Sequence, residues 1–172
     1  AHGIIWKDYI GDIIETYKGI AAQKTENKAV IVYESVWKHT QQIAESLAEG
    51  FSDAGMDVKV YKLSDTKSSI VMREIMDAKV VCIGSGTYNN VMAPSVAAFL
   101  EHIRPCKLKN KKGLAFAAYG WFNQVAKEID TRMQQSGIES CHDVINQCYT
   151  PSDDQLEDYY NIAKEIAKKC QE

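Results

Sequence analysis

Three short segments of this sequence hold residue types that can bind and orient a ligand, and none is built for acid–base catalysis. In Glu34-Ser-Val-Trp-Lys-His-Thr40, the hydroxyls of Ser35 and Thr40 bracket Val36, Trp37, Lys38 and His39. Backbone N–H groups over such a stretch can curl around a phosphate. A helix starting at its end supplies partial positive charge, and Lys38 and His39 add to it. Taken alone, the segment reads equally well as an ordinary capped turn. It has none of the glycines of a dinucleotide or ATP phosphate loop.

In Gly84-Ser-Gly-Thr-Tyr-Asn-Asn90, the glycines at 84 and 86 allow close backbone approach, while Ser85, Thr87, Tyr88, Asn89 and Asn90 offer polar groups and one aromatic face. In Tyr119-Gly-Trp-Phe-Asn123, the aromatic side chains of Tyr119, Trp121 and Phe122 cluster around Gly120, with Asn123 beside them. An exposed cluster of that kind is unfavourable unless it covers something flat and apolar. The four histidines (His2, His39, His102, His142) form no triad with a cysteine or serine.

Alternating strands and helices must position these segments. Ala29-Val-Ile-Val-Tyr33 is a continuous apolar run expected as a buried strand, followed by a helix from near Thr40 with Ile43, Leu47 and Phe51 on one face and Gly55 as its stop. Met56–Tyr61 alternates like a half-exposed edge strand, and Ser69–Asp77 is a short amphipathic helix. Lys79–Gly84 and Gly113–Ala118 are two more apolar strands; Met92–Ile103 and Gln124–Gln135 are helices. A weaker fifth strand is expected within Ser140–Tyr149, and a last helix from about Asp153, with Ser152 and Asp153 as natural N-caps. Five alternations of strand and helix after residue 28 predict an α/β three-layer sandwich of the flavodoxin-like kind, with a five-stranded parallel sheet in the order 2-1-3-4-5.

In that architecture ligands bind beyond the carboxyl ends of the central strands, where all three segments fall. One phosphate-like loop and two aromatic, polar ones on a single sheet edge suit FMN, whose ring needs stacking faces and backbone hydrogen bonds. A receiver domain of the same strand order would need an Asp at the end of strand three, where Gly84-Ser85 stands. The composition is that of an ordinary globular chain: 172 residues, 45% hydrophobic and 25% charged. A net charge of −3 gives no electrostatic case for nucleic acid or an anionic membrane. No apolar run approaches the ~20 residues of a membrane span, and no secretory signal is expected. Five widely spaced cysteines without a CxxC pair point to reduced thiols and a cytoplasmic location rather than a disulfide frame or structural metal.

The same segments resemble those of the flavodiiron (A-type flavoprotein) family. Tyr33-Glu-Ser-Val-Trp-Lys-His-Thr-Gln-Gln-Ile-Ala44 looks like its phosphate loop and first helix, Gly84–Asn90 with Pro94–Leu100 like its second FMN loop and helix, and Lys109–Trp121 like its fourth strand and third loop. Ala1-His-Gly-Ile-Ile-Trp6 is similar to the end of the family's preceding di-iron domain. By that likeness residues 1–27 are the tail of a di-iron domain and a linker helix, and 28–172 the FMN-binding domain. His2 would be a stranded iron ligand, unable to hold a metal alone.

The resemblance implies an electron-transfer domain of an O2- or NO-reducing protein. Its partners would be the di-iron domain and a donor such as rubredoxin, a reductase or a reduced deazaflavin. In the family two subunits pair head to tail, so the isolated domain is expected as a monomer or weak dimer. The alternative is an FMN-dependent NAD(P)H:quinone reductase of the same fold. Members usually carry proline where Gly86 stands, which implies a more flexible second loop here. They often have small residues after the third-loop tryptophan, so Phe122-Asn123 would shield the flavin edge or block the family's usual contacts.

Overall fold

The computed structural model describes residues 5–171. Its centre is a parallel sheet whose inner strands bury apolar side chains on both faces, as the continuous Val/Ile/Ala runs require. Strand β1 (Glu26–Glu34) pairs on one side with the edge strand β2 (Asp57–Lys62) and on the other with β3 (Ala78–Tyr88), which pairs in turn with β5 (Lys112–Tyr119). The fifth position is shared by two short strands, β6 (Glu139–Ser140) and β7 (Ile145–Cys148), both parallel to β5. The expected order 2-1-3-4-5 is therefore the observed one, with its last strand split. At the break, the Cys141 backbone N–H and its Sγ both turn onto the Gly113 carbonyl, at 3.0 and 3.2 Å.

One departure bears on the site. Gly84–Asn90 reads as a loop in sequence, yet β3 continues through it to Tyr88. Gly86 pairs with Ala118 of β5, so it is a sheet residue rather than part of a free loop. The chain then reverses at Asn89 and Asn90, with φ of 46° and 69°, into the antiparallel strand β4 (Val91–Met92). Asparagine tolerates the left-handed region, and two such residues in succession make the tight turn whose twist matches a hairpin.

Helices cover both faces. On one face, Val30, Val32, Val81, Ile83 and Ala115 pack against α3 (Ser68–Met76), α4 (Pro94–Ile103) and α5 (Val125–Gln135). On the other, Ile31, Val80, Cys82, Leu114 and Phe116 meet α2 (His39–Asp53) and α6 (Asp153–Gln171). Full burial of each large apolar side chain contributes about 1.5–3 kcal/mol. Helices α2 and α6 come close enough that a methyl group on Gly50 would collide with the Tyr160 carbonyl. The start of α6 is fixed by a reciprocal cap: the Gln155 N–H donates to Ser152 Oγ at 3.3 Å, and the Ser152 N–H to Gln155 Oε1 at 3.0 Å.

Ahead of the sheet lies α1 (Ile10–Ala21), which has no buried residue and turns Ile10, Ile14, Tyr17 and Ile20 outward. His2 lies outside the described residues. At the end of the sheet remote from the carboxyl termini, Lys28 is buried between Glu74 and Asp77, at 2.8 and 2.7 Å. Nearby, Lys111 Nζ donates to the carbonyls of Met76 and Ala78, at 2.9 and 3.0 Å. Among the described residues no helix is long and apolar enough to cross a membrane.

Candidate functional site

The carboxyl ends of β1, β3 and β5 bring the three segments to one edge, where they enclose a cleft of about 340 Å³. Ser35, Val36, Trp37, His39 and Thr40 line it from the first segment, Gly86, Thr87 and Tyr88 from the second, and Tyr119, Gly120 and Trp121 from the third. Trp37 and Trp121 are each 81% exposed, which is unusual for side chains of that size and leaves two broad aromatic faces open at the cleft mouth.

The first segment turns through Lys38, whose φ of 68° lets β1 feed directly into α2. The first N–H groups of that helix have no carbonyl within it to bond, and no side chain caps them. They are thus available to an anion, in the positive field of the helix end. Thr40 is buried and contributes its hydroxyl to the cleft, whereas Lys38 does not line it. The Ser35 N–H is already engaged: it donates to Oε1 of the buried Glu34 at 3.0 Å, while Oε2 accepts the Ser95 hydroxyl at 3.2 Å. The hydroxyl of Ser35, rather than its amide, is its free group. His39 is the one basic side chain among the lining residues.

In the second segment Ser85 is fully buried beneath the hairpin. Its hydroxyl donates to the Gly86 carbonyl at 2.7 Å and accepts the Ala93 N–H at 2.8 Å, so it fixes the hairpin base and does not line the cleft. Burial, with the Glu34 carboxylate adding, raises the Tyr88 phenol above its ordinary pKa and keeps it protonated. Asn89 and Asn90 form the turn; Asn90 Oδ1 accepts the Trp121 indole N–H at 3.1 Å.

The third segment differs from expectation after Trp121. Phe122 is half-buried, packs against the core formed with α4 and α5 and does not line the cleft, and the exposed Asn123 bonds to Gln124. Two lining residues were missed in sequence, Ala118 and Tyr149. Tyr149 follows the weak strand β7, where an aromatic residue reads as ordinary turn composition. The available signal was its place at the carboxyl end of a parallel strand.

Hydroxyls and a bare helix N-terminus, gathered with glycines and broad aromatic faces in one cleft, fit a phosphate ester of a flat ring system. Among the described residues no group of three or more His, Cys, Asp or Glu side chains is placed to hold a metal ion. The fold and this cleft define a flavin-mononucleotide domain of the doubly wound α/β class.

The flavodoxin family profile matches residues 31–171, and the chain belongs to that family. It is 36% identical over 170 residues to a nitric oxide reductase of Moorella thermoacetica, covering 98% of this chain and 43% of that protein. Among solved structures, it is similar to rubredoxin oxygen:oxidoreductase from Desulfovibrio gigas, with 32% identity, a TM-score of 0.90, and coverage of 94% of this chain and 40% of that one. It also matches the flavodiiron protein from Giardia intestinalis, with 27% identity and a TM-score of 0.91, covering 98% of this chain and 42% of that one. The domain is thus of the flavodiiron type, and its cofactor is FMN. The chain spans less than half the length of these relatives.

Proposed function

We propose that this chain is the electron-transfer domain of a flavodiiron-type O2 or NO reductase, with its FMN held in the cleft at the carboxyl end of the sheet. The observation carrying the reading is the convergence of three distant segments, two of them carrying exposed tryptophans, on one cleft beside a bare helix terminus. When bound, FMN supplies one- and two-electron chemistry through its ring.

The side chains bind and shield. The hydroxyls of Ser35 and Thr40, the first N–H groups of α2 and the His39 ring hold the phosphate. Gly86–Tyr88 and Tyr119–Gly120 present backbone groups to the ring edge, and Trp37, Tyr88 and Trp121 cover its faces and exclude water. Residues 1–27 serve as the tail of a di-iron domain and a linker, and 28–172 as the flavin domain. The partners are that di-iron domain and a donor such as rubredoxin, a reductase or a reduced deazaflavin. Free cysteines at all five positions support a reducing, cytoplasmic setting. Alone, the domain is a monomer or weak dimer that transfers electrons without reducing O2 or NO catalytically.

The test is an absorption spectrum of the purified protein before and after adding FMN and removing the excess. Near-stoichiometric retention, with bands near ~370 and ~450 nm, is the expected result. A colourless protein that ignores FMN overturns the reading. Sustained NAD(P)H oxidation with a quinone would instead favour a reductase of the same fold.

A further inference from the structure

We infer that the corner between β7 and α6, Tyr149–Thr150, is a fourth wall of the cleft: the Tyr149 ring contacts the flavin, and the Thr150 hydroxyl positions His39 for the phosphate. The inference rests on the FMN reading above and adds two residues to it.

Tyr149 lines the same cleft as the three segments, from the residue just after β7, a strand that carries none of them. Its backbone sits at φ 56°, and its N–H donates to the Tyr119 carbonyl at 2.8 Å. A non-glycine residue keeps the left-handed conformation only where its surroundings hold it there. Here that conformation sets the tyrosine ring against Gly120: a methyl group on this glycine would lie 3.4 Å from Tyr149 Cε1. That is ordinary van der Waals contact, so the glycine and the tyrosine ring are neighbours on one wall.

Thr150 Oγ1 lies 3.2 Å from His39 Nε2, a hydrogen bond joining residues far apart in sequence. His39 is the first residue of α2 and the one basic side chain lining the cleft. With Nε2 held by Thr150, Nδ1 is the nitrogen left to donate to a phosphate oxygen. Buried Pro151 and the Ser152–Gln155 cap fix the next residues, so Thr150 is presented from a rigid corner. Tyr149 is thus a binding residue and Thr150 a positioning residue acting through His39.

The two roles separate when FMN is compared with riboflavin, which has the ring and no phosphate. Titrations followed by flavin fluorescence would be run on the wild-type chain and on Tyr149→Ala, Tyr149→Phe, Thr150→Val and Thr150→Ser. Thr150→Val should weaken FMN about tenfold, the effect of loosening a hydrogen bond to a charged group. It should leave riboflavin unchanged, and Thr150→Ser should restore FMN affinity. Tyr149→Ala should weaken both ligands by a similar factor and relieve part of the fluorescence quenching, while Tyr149→Phe keeps both.

If the wild-type chain binds neither ligand, the FMN reading itself fails. If it binds FMN but the alanine and valine variants bind both ligands like wild type, the corner plays no part and this inference alone is overturned. Equal loss of FMN and riboflavin in Thr150→Val would also overturn the phosphate role, since a general loosening of the fold does not distinguish the ligands.

Discussion

The Trp121 indole N–H donates to Asn90 Oδ1 at 3.1 Å, tying the tip of the β3–β4 hairpin to the segment after β5. The bond sets the direction of an indole that is otherwise open to solvent. Asn90 also sits at φ 69°, so a replacement that leaves the turn intact must tolerate the left-handed region. Asn90→Gly meets that condition, because glycine adopts the same φ without strain. The expected effect is a loss of about 0.5–1.5 kcal/mol in FMN binding, roughly twofold to thirteenfold in Kd, read by fluorescence titration. An unchanged Kd would show that the indole needs no anchor.

Gly84 is required by close packing. A methyl group there would collide with the Phe116 ring, which is itself fully buried. Gly84→Ala should lower stability by about 1–3 kcal/mol, seen as a lower urea midpoint at an unchanged slope. Because the ring is the obstacle, adding Phe116→Leu should recover part of the loss. Additive destabilisation in the double variant would place the strain elsewhere.

Lys111 predicts a pH dependence. Burial lowers its pKa from 10.5 to about 8, with the neighbouring Lys28 acting in the same direction and Asp77 against it. Below pH 8 the amine is charged in both folded and unfolded chains, and the folded state bears the full desolvation penalty. Between pH 8 and 10.5 the unfolded chain holds more protons, so this group's contribution to stability rises with pH. Cysteines and tyrosines titrate in the same range, so the comparison is wild type against Lys111→Met. The stability difference should shift toward wild type by something on the order of 3 kcal/mol across that window. A difference that stays flat with pH would mean the amine keeps an ordinary pKa.

The thiols divide sharply. Cys106 and Cys148 are exposed, whereas burial pushes the thiol of Cys82 well above its ordinary pKa and that of Cys141 up to about 11. Since the thiolate is the reacting form, an alkylating reagent at neutral pH should label Cys106 and Cys148 first in the native protein, with Cys82 labelled only on unfolding. Peptide mass spectrometry after a short pulse reads this directly. Early modification of Cys82 would show that β3 opens locally.

The central strands were legible because burial on both faces leaves little choice of residue: Ala29–Val32, Val80–Ile83 and Leu114–Ala117 are apolar without interruption. The extension of β3 was not, because Gly84-Ser-Gly86 carries no strand preference; tertiary pairing with β5 and the Asn89-Asn90 turn impose it. The fifth strand is faint for a different reason. Of its inward residues one is Gln147, buried yet polar, satisfied by the Tyr159 hydroxyl at 2.5 Å and Gln155 at 3.2 Å. No hydrophobic pattern announces such a residue. In the site, the positions of three segments could be read from topology. What each hydroxyl or amide bonds to, as with Ser85 under the hairpin or the Ser35 N–H on Glu34, depends on contacts between residues far apart or on local rotamers.

The split of the last strand into β6 and β7 bears on how this molecule behaves in a crowd. A long, flat outer strand offers a row of unpaired N–H and C=O groups on which another chain can template itself. Here that side offers two residues, a break, then four. The opposite margin is short and studded with charge, through Asp57, Lys59 and Lys62. One margin is broken and the other is short and charged, so part of the resistance to sheet-to-sheet aggregation is written into the same irregularity that makes the fifth strand hard to see.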